Sequence, residues 1–197
     1  MKRDVFEPLD MSRLVSFSDG VFAVAITLLV LNVQVPDSQI GLGVLLHEQF
    51  SHYLIFVVSF IMVGIKWLNH HRMFTLISRA NTTLSILNLM LLLVICTVPF
   101  TAAIIAKYLR TPDAALASVV YGIVWVAVGC LYTIIYVYAD KAGLTTANST
   151  SRRTAILYFA GPIGYLLAIG LSFVNIYAGL ALYVGIVMLY IPPQRTV

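Results

Sequence analysis

The chain has 197 residues, of which 60% are hydrophobic and only 10% charged, with a formal net charge of +4. Soluble domains carry about 25% charged residues, so this composition excludes an ordinary soluble domain. The positive excess sits between apolar runs, where it is no argument for a nucleic-acid partner.

Asp, Glu, Lys and Arg are missing from 20–36, 49–65, 80–106, 114–139 and 154–194. A membrane span takes about 20 apolar residues, and the last gap, 41 residues long, holds two. Ser172, Asn175 and Tyr177 divide it. The expected architecture is all-α, with six transmembrane helices at 14–36, 52–75, 82–106, 114–139, 154–173 and 176–192. They form a single transmembrane domain over 1–197. The first run is not read as a signal peptide, because no small-residue cleavage site follows it and further spans do.

The first span opens on a polar head, Arg13, Phe17, Ser18, Asp19 and Gly20, before turning wholly apolar. Charges at the edge of a bilayer are costly unless paired, so this head reads as more than an anchor. Beyond it, Gly20, Val24, Thr27 (with Leu28 alongside) and Leu31 recur at helical spacing and share one stripe. Such a stripe serves ordinary helix packing or, repeated around an axis, an apolar constriction that gates by dewetting. Segment 36–51, with Pro36, Gly41, Gly43, His47 and Glu48, reads as a short interfacial helix on the outer side.

The second span ends on Lys66, Trp67, Asn69, His70, His71, Arg72 and Phe74, and the third begins with Asn81, Ser85 and Asn88. In an alternating topology these groups and the head of the first span meet in one layer. Trp67 and His71 share a face, as do His70 and Phe74. The layer reads as a polar clasp between helices, as a gate built on that clasp, or as a proton relay. A metal held by His70 and His71 is disfavoured, since adjacent helical residues point about 100° apart. Pro99 and the pair Gly161 and Pro162 predict kinks. Gly122 and Gly129 predict a close-packing face, and Cys96 and Cys130 read as small packing residues with no metal-ligand spacing.

With six spans, ten of the twelve Lys and Arg fall on one side: Lys2, Arg3, Arg13, Lys66, Arg72, Arg79, Lys141, Arg152, Arg153 and Arg195. Only Lys107 and Arg110 fall on the other. The positive-inside rule places both termini in the cytoplasm, which leaves the sequons at Asn81 and Asn148 without meaning. A Thr-Val-Gly-Tyr-Gly filter, rows of Arg, a nucleotide-binding motif and a Ser/His/Asp or His-Glu-x-x-His set are all missing. The chain is not expected to be an enzyme, and no internal repeat of the kind that transporters show is visible.

At Arg13, Phe17-Ser18-Asp19-Gly20, then Trp67, His70-His71-Arg72 and Phe74, and on to Asn88 and Pro99-Phe100, the chain resembles the transmembrane protein 175 family of potassium channels. The motifs cover roughly the first half; the later helices agree in number and hydrophobicity. The resemblance implies a homotetramer of single six-helix repeats in a prokaryotic plasma membrane, with the first helix lining a central pore. By distance from Phe-Ser-Asp, the pore-facing positions are Val24, Thr27 and Leu31, with Leu28 an alternative member of the ring. The family usually has a larger Ile or Leu where Val24 stands. Arg13, Phe17, Ser18, Asp19, Trp67, His70 and Asn88 fall in a network supporting the pore helix. The expected partners are other copies of the chain, the lipid bilayer and permeant monovalent cations, potassium first, with no cofactor and no metal. A proton-permeable or weakly selective cation leak and a non-conducting membrane scaffold are the alternatives.

Overall fold

In a membrane every backbone N–H and C=O must find its partner inside the protein, which leaves helices as the economical solution for these long uncharged runs. The computed structural model describes residues 10–35, 41–146 and 152–191, with side chains of the last stretch from 159 onward. Lys2, Arg3, Pro36, the Asn148 sequon, Arg195 and the side chains of Arg152 and Arg153 lie outside the described residues.

Among the described residues seven α-helices follow in order: α1 Met11–Leu28, α2 Leu42–Glu48, α3 Phe50–Thr75, α4 Thr82–Tyr108, α5 Ala114–Lys141, α6 Arg152–Ser172 and α7 Ile176–Met188. One 3-10 turn, Leu29–Asn32, continues α1. Four of these segments, Met11–Asn32, α3, α4 and α5, are long and apolar enough to cross a membrane, and two further apolar helices are shorter. The chain is an all-α, multi-pass membrane protein.

The helix starts are set by side chains that accept otherwise unpaired backbone amides. Asp10 accepts from Ser12 N–H at 2.9 Å, Asn81 from Leu84 N–H at 2.9 Å, and Asn175 from the amides of Tyr177 and Ala178. The Asn175 cap is where the 41-residue uncharged run divides. At the far end of α5, Gly143 adopts φ +63°. The amide of Leu144 then reaches the Ala139 carbonyl, and that of Gly143 the Asp140 carbonyl, which closes the helix in a Schellman turn. Just beyond, Ile77 and Thr145 pair as an isolated bridge, flanked by Ser78 N–H to Leu144 O at 2.8 Å and Thr146 N–H to Leu76 O at 3.0 Å. The α3–α4 and α5–α6 connections are therefore stitched together at one end of the bundle.

Helix α5 packs against α4 and α6, α6 against α7, and α1 lies across α3 and α4. The α5–α6–α7 contact is close because its glycines leave room. A Cβ on Gly129 would stand 3.1 Å from Pro162, and one on Gly122 would run into Tyr183 and Ile169. The glycines at 122 and 129 thus form the packing face their spacing predicts. Cys96 and Cys130 differ from expectation: both are free and exposed on the outside of the chain. A thiol is apolar enough to face lipid or another subunit without a partner.

Candidate functional site: helix 1 and its polar clasp

One face of α1 is buried through Leu14, Ser18, Phe22 and Ala25, and Leu29 of the 3-10 turn continues it. The opposite face carries Phe17, Gly20, Val24, Thr27, Leu28 and Leu31, all exposed, with Val24 at 57% and Leu31 at 63%. Helix α1 therefore has an anchored side and a side that is exposed among the described residues.

On the anchored side, Ser18, His70 and Asn88 are fully buried, and a hydrogen-bond chain joins three helices. His70 Nε2 lies 2.9 Å from Asn88 Oδ1. A carboxamide oxygen only accepts, so the imidazole proton is on Nε2. Asn88 Nδ2 donates to Ser18 Oγ at 2.9 Å, and Ser18 Oγ donates to the Leu14 carbonyl at 2.8 Å. All three donors point the same way, from α3 through α4 into the backbone of α1. The rings of Phe74, 4.3 Å away and stacked, and Phe22, 5.3 Å away and tilted, flank the imidazole. The His70–Phe74 and Trp67–His71 spacings each give a ring pair, the latter at 6.3 Å.

A second tie is outermost in the same layer: Trp67 Nε1 donates to Asp19 Oδ1 at 2.8 Å. Asp19 is half-buried, and this bond lies at the exposed edge. Arg13 and Phe17 are exposed and take no part in either tie within the chain. The layer thus brings together Ser18, Asp19, Trp67, His70 and Asn88, and leaves Arg13 and Phe17 facing outward.

The opposite end of α1 is fixed by residues that the sequence did not single out for this role. Asn32 Nδ2 donates to the Pro99 carbonyl at 3.0 Å. His52 Nδ1 lies 2.8 Å from the Asn32 carbonyl and donates to it, since a carbonyl only accepts. The available signal was a lone Asn at the end of an apolar run, with a proline in a later helix. Nearby, Arg110 donates to the His47 carbonyl at 3.2 Å and lies over the Phe50 ring, pinning the α2–α3 corner.

The 3-10 turn alters the stripe. Spacings of four, three and four align Gly20, Val24, Thr27 and Leu31 only if α-helical winding continues throughout. In 3-10 winding, residues three apart eclipse, so Leu31 stands over Leu28 rather than following the line of Thr27. Thr27 Oγ1 donates to the Val24 carbonyl at 2.9 Å. Its proton is used on its own helix, and it offers an oxygen lone pair outward.

Residues 13–99, which hold the clasp and the Asn32–Pro99 tie, match the model of the TMEM175 family, described as the endosomal/lysosomal potassium channel TMEM175. A potassium channel of Streptomyces collinus is 38% identical over 188 residues, covering 92% of this chain and 91% of that protein. The chain belongs to the TMEM175 family. The crystal structure of a lysosomal potassium-selective channel TMEM175 homolog from Chamaesiphon minutus superposes with a TM-score of 0.81 at 33% identity, over 91% of this chain and 95% of that one. The endosomal/lysosomal proton channel TMEM175 of Bos taurus is 34% identical over 126 residues, 59% of this chain but 26% of that protein. The resemblance read from Phe17-Ser18-Asp19 and from Trp67 to Phe74 is thereby established at the level of the family.

Proposed function

We propose that this TMEM175 chain is a potassium-permeable cation channel of a prokaryotic plasma membrane, with both termini cytoplasmic, conducting passively through a pore lined by α1 from four copies. The observation that carries this reading is the two-sided character of α1. Its Ser18 face is bolted to α3 and α4, and its Gly20, Val24, Thr27 and Leu31 face is exposed, with no partner among the described residues. One helix per chain cannot enclose a pore, so several copies must contribute. The resemblance read from the sequence implies four.

In this reading six helices span: α1, α3, α4 and α5, with α6 and α7 completing the set. At 1.5 Å per residue, α6 is about 31 Å long and α7 about 20 Å, so α7 alone is short for a hydrocarbon core of about 30 Å. Val24, Thr27, Leu28 and Leu31 form the constriction. Apolar rings have no oxygens to replace a hydration shell, so ions pass partly hydrated and selectivity depends on ring width and on the Thr27 oxygens. Arg13, Phe17, Ser18, Asp19, Trp67, His70 and Asn88 form the network that supports α1, Arg13 and Phe17 doing so across the subunit boundary.

Purified protein in liposomes under potassium, sodium and proton gradients tests the reading. Potassium flux is expected, with a reversal potential following potassium more closely than sodium. A stable monomer or dimer by mass in nanodiscs, or no flux of any ion, removes it. The relatives named proton channels favour a second reading, a proton-permeable leak through the same path. A reversal potential that follows the proton gradient at fixed potassium selects it.

A further inference from the structure

Lys66 lies on α3 one turn before His70 and is 3% exposed. A buried ammonium costs several kcal/mol unless it is paired and hydrogen-bonded. No carboxylate faces it among the described residues. It is surrounded instead by three tyrosine rings from three elements. Its Nζ stands 5.3 Å from the ring centre of Tyr132 on α5, 5.4 Å from that of Tyr165 on α6 and 4.5 Å from that of Tyr190, just past α7. Ring faces compensate part of the charge but accept none of the three N–H bonds well.

Beside the ammonium is a cavity of about 10 Å³, lined by Lys66, Asn69, Gly129, Tyr132 and Tyr190. Space of that order admits one water-sized species. Two of the polar groups on its wall are already committed to backbone. Asn69 Nδ2 donates to the Ile65 carbonyl at 2.8 Å, and Tyr132 Oη donates to the Lys66 carbonyl at 2.6 Å. Gly129, on the α5 side, leaves no room for a side chain, since a Cβ there would stand 3.1 Å from Pro162.

We infer that Lys66 and its tyrosine cage are a binding site for a single monatomic anion of the halide class, held between α3, α5 and the end of α7. A halide meets the two unmet needs together, because it neutralises the ammonium and accepts its free N–H bonds. The faces of the three rings stay on the cation and leave the cavity side to the anion. The site is separate from the α1 stripe and independent of which ion crosses the pore. It adjoins the turn of α3 that carries Trp67 and His70.

Bromide is the probe. Crystals of the full chain grown in sodium bromide are expected to show an anomalous peak in contact with Lys66 Nζ, and Lys66→Met removes it. In solution, the unfolding midpoint in bromide is compared with that in gluconate at equal ionic strength. For one site per chain, each tenfold rise in bromide above its dissociation constant is expected to raise the midpoint by about 3–6 °C. Lys66→Met flattens that dependence. No anomalous peak at the cage, a peak that survives Lys66→Met, or equal midpoints in the two salts overturns the site. If Lys66→Met does not assemble, the wild-type anomalous map and salt series decide the question by themselves.

Discussion

The imidazole of His70 gives its Nε2 proton to Oδ1 of Asn88 at 2.9 Å, while its Nδ1 is buried without a partner among the described residues. Asn88 is the middle member of the chain running into Ser18 and the Leu14 carbonyl. Truncating it leaves a buried N–H on His70 unsatisfied, at about 1–3 kcal/mol. Asn88→Ala is therefore expected to lower the unfolding midpoint of the assembled protein. Removing both polar partners, as in His70→Phe with Asn88→Leu, is expected to recover part of that loss. An Asn88→Ala protein with the wild-type midpoint would show that the chain does not hold α1.

The Trp67–Asp19 bond lies at an exposed edge, so its loss should matter less. Asp19→Ala and Trp67→Phe are each expected to cost about 1 kcal/mol. The double variant should be little worse than either single one, since both remove the same bond. Asp19→Asn keeps the accepting oxygen and should stay near wild type. Open probability should change in Asp19→Ala while the potassium-to-sodium permeability ratio holds. A changed ratio with unchanged stability would make Asp19 a ligand of the permeating ion instead of a brace.

Thr27 supplies the sole hydroxyls on the proposed constriction. Because its proton goes to the Val24 carbonyl, Thr27→Ser should conduct like wild type, whereas Thr27→Val should reduce conductance or selectivity and leave assembly intact. Val24→Ala and Leu31→Ala are expected to raise conductance and weaken potassium preference. Cysteines at 24, 27 and 31, in a Cys96→Ala, Cys130→Ala background, should react with a water-soluble thiol reagent and block current. Reaction at Ala25 and Val30 with silence at those three would place another face of α1 on the axis.

Gly122→Ala puts a methyl group against Tyr183 and Ile169, and overpacking of this kind costs about 1–3 kcal/mol. Gly64 has nothing within 4 Å of the same methyl, so Gly64→Ala should be neutral or slightly stabilising as helix propensity rises. Thermal unfolding of the two variants side by side checks the contrast. Equal midpoints would mean that α5 and α7 are not closely packed at this level.

The helices were legible because charge is so sparse. Five uncharged runs mark the apolar segments, and Asn175 announces the break in the longest through the ordinary chemistry of an N-cap. The clasp was legible in its members, since His70, Asn88 and Ser18 are costly in an apolar setting unless they meet. Its wiring was not, because the direction of three hydrogen bonds depends on the order in which α1, α4 and α3 stack. Arg13 shows the same limit from the other side: the residue type suggests pairing, yet neither tie that holds α1 among the described residues includes it. Lys66 was hidden by its position. A single Lys near a helix end counts as a charge on that side of the membrane, and nothing local shows that Tyr132, Tyr165 and Tyr190 converge on it from 66 to 124 residues away. The 3-10 turn was equally silent, because Leu-Val-Leu-Asn is unremarkable helical sequence.

That turn makes the end of α1 a screw. A 3-10 helix rises about 2.0 Å per residue and turns about 120°, against 1.5 Å and 100° in an α-helix. Rewinding Leu29–Asn32 as α-helix would draw the end in by about 2 Å and swing Leu31 back by about 60°, from above Leu28 towards the line of Thr27. Asp19, three turns away, need not move. In the proposed pore the diameter at Leu31 can therefore change by thread pitch alone, with Asn32, Pro99 and His52 acting as the lock nut. Distances between spin labels at 31 should then shift between closed and conducting preparations while those at 19 stay fixed; equal shifts at both would mean that α1 tilts as a rigid rod.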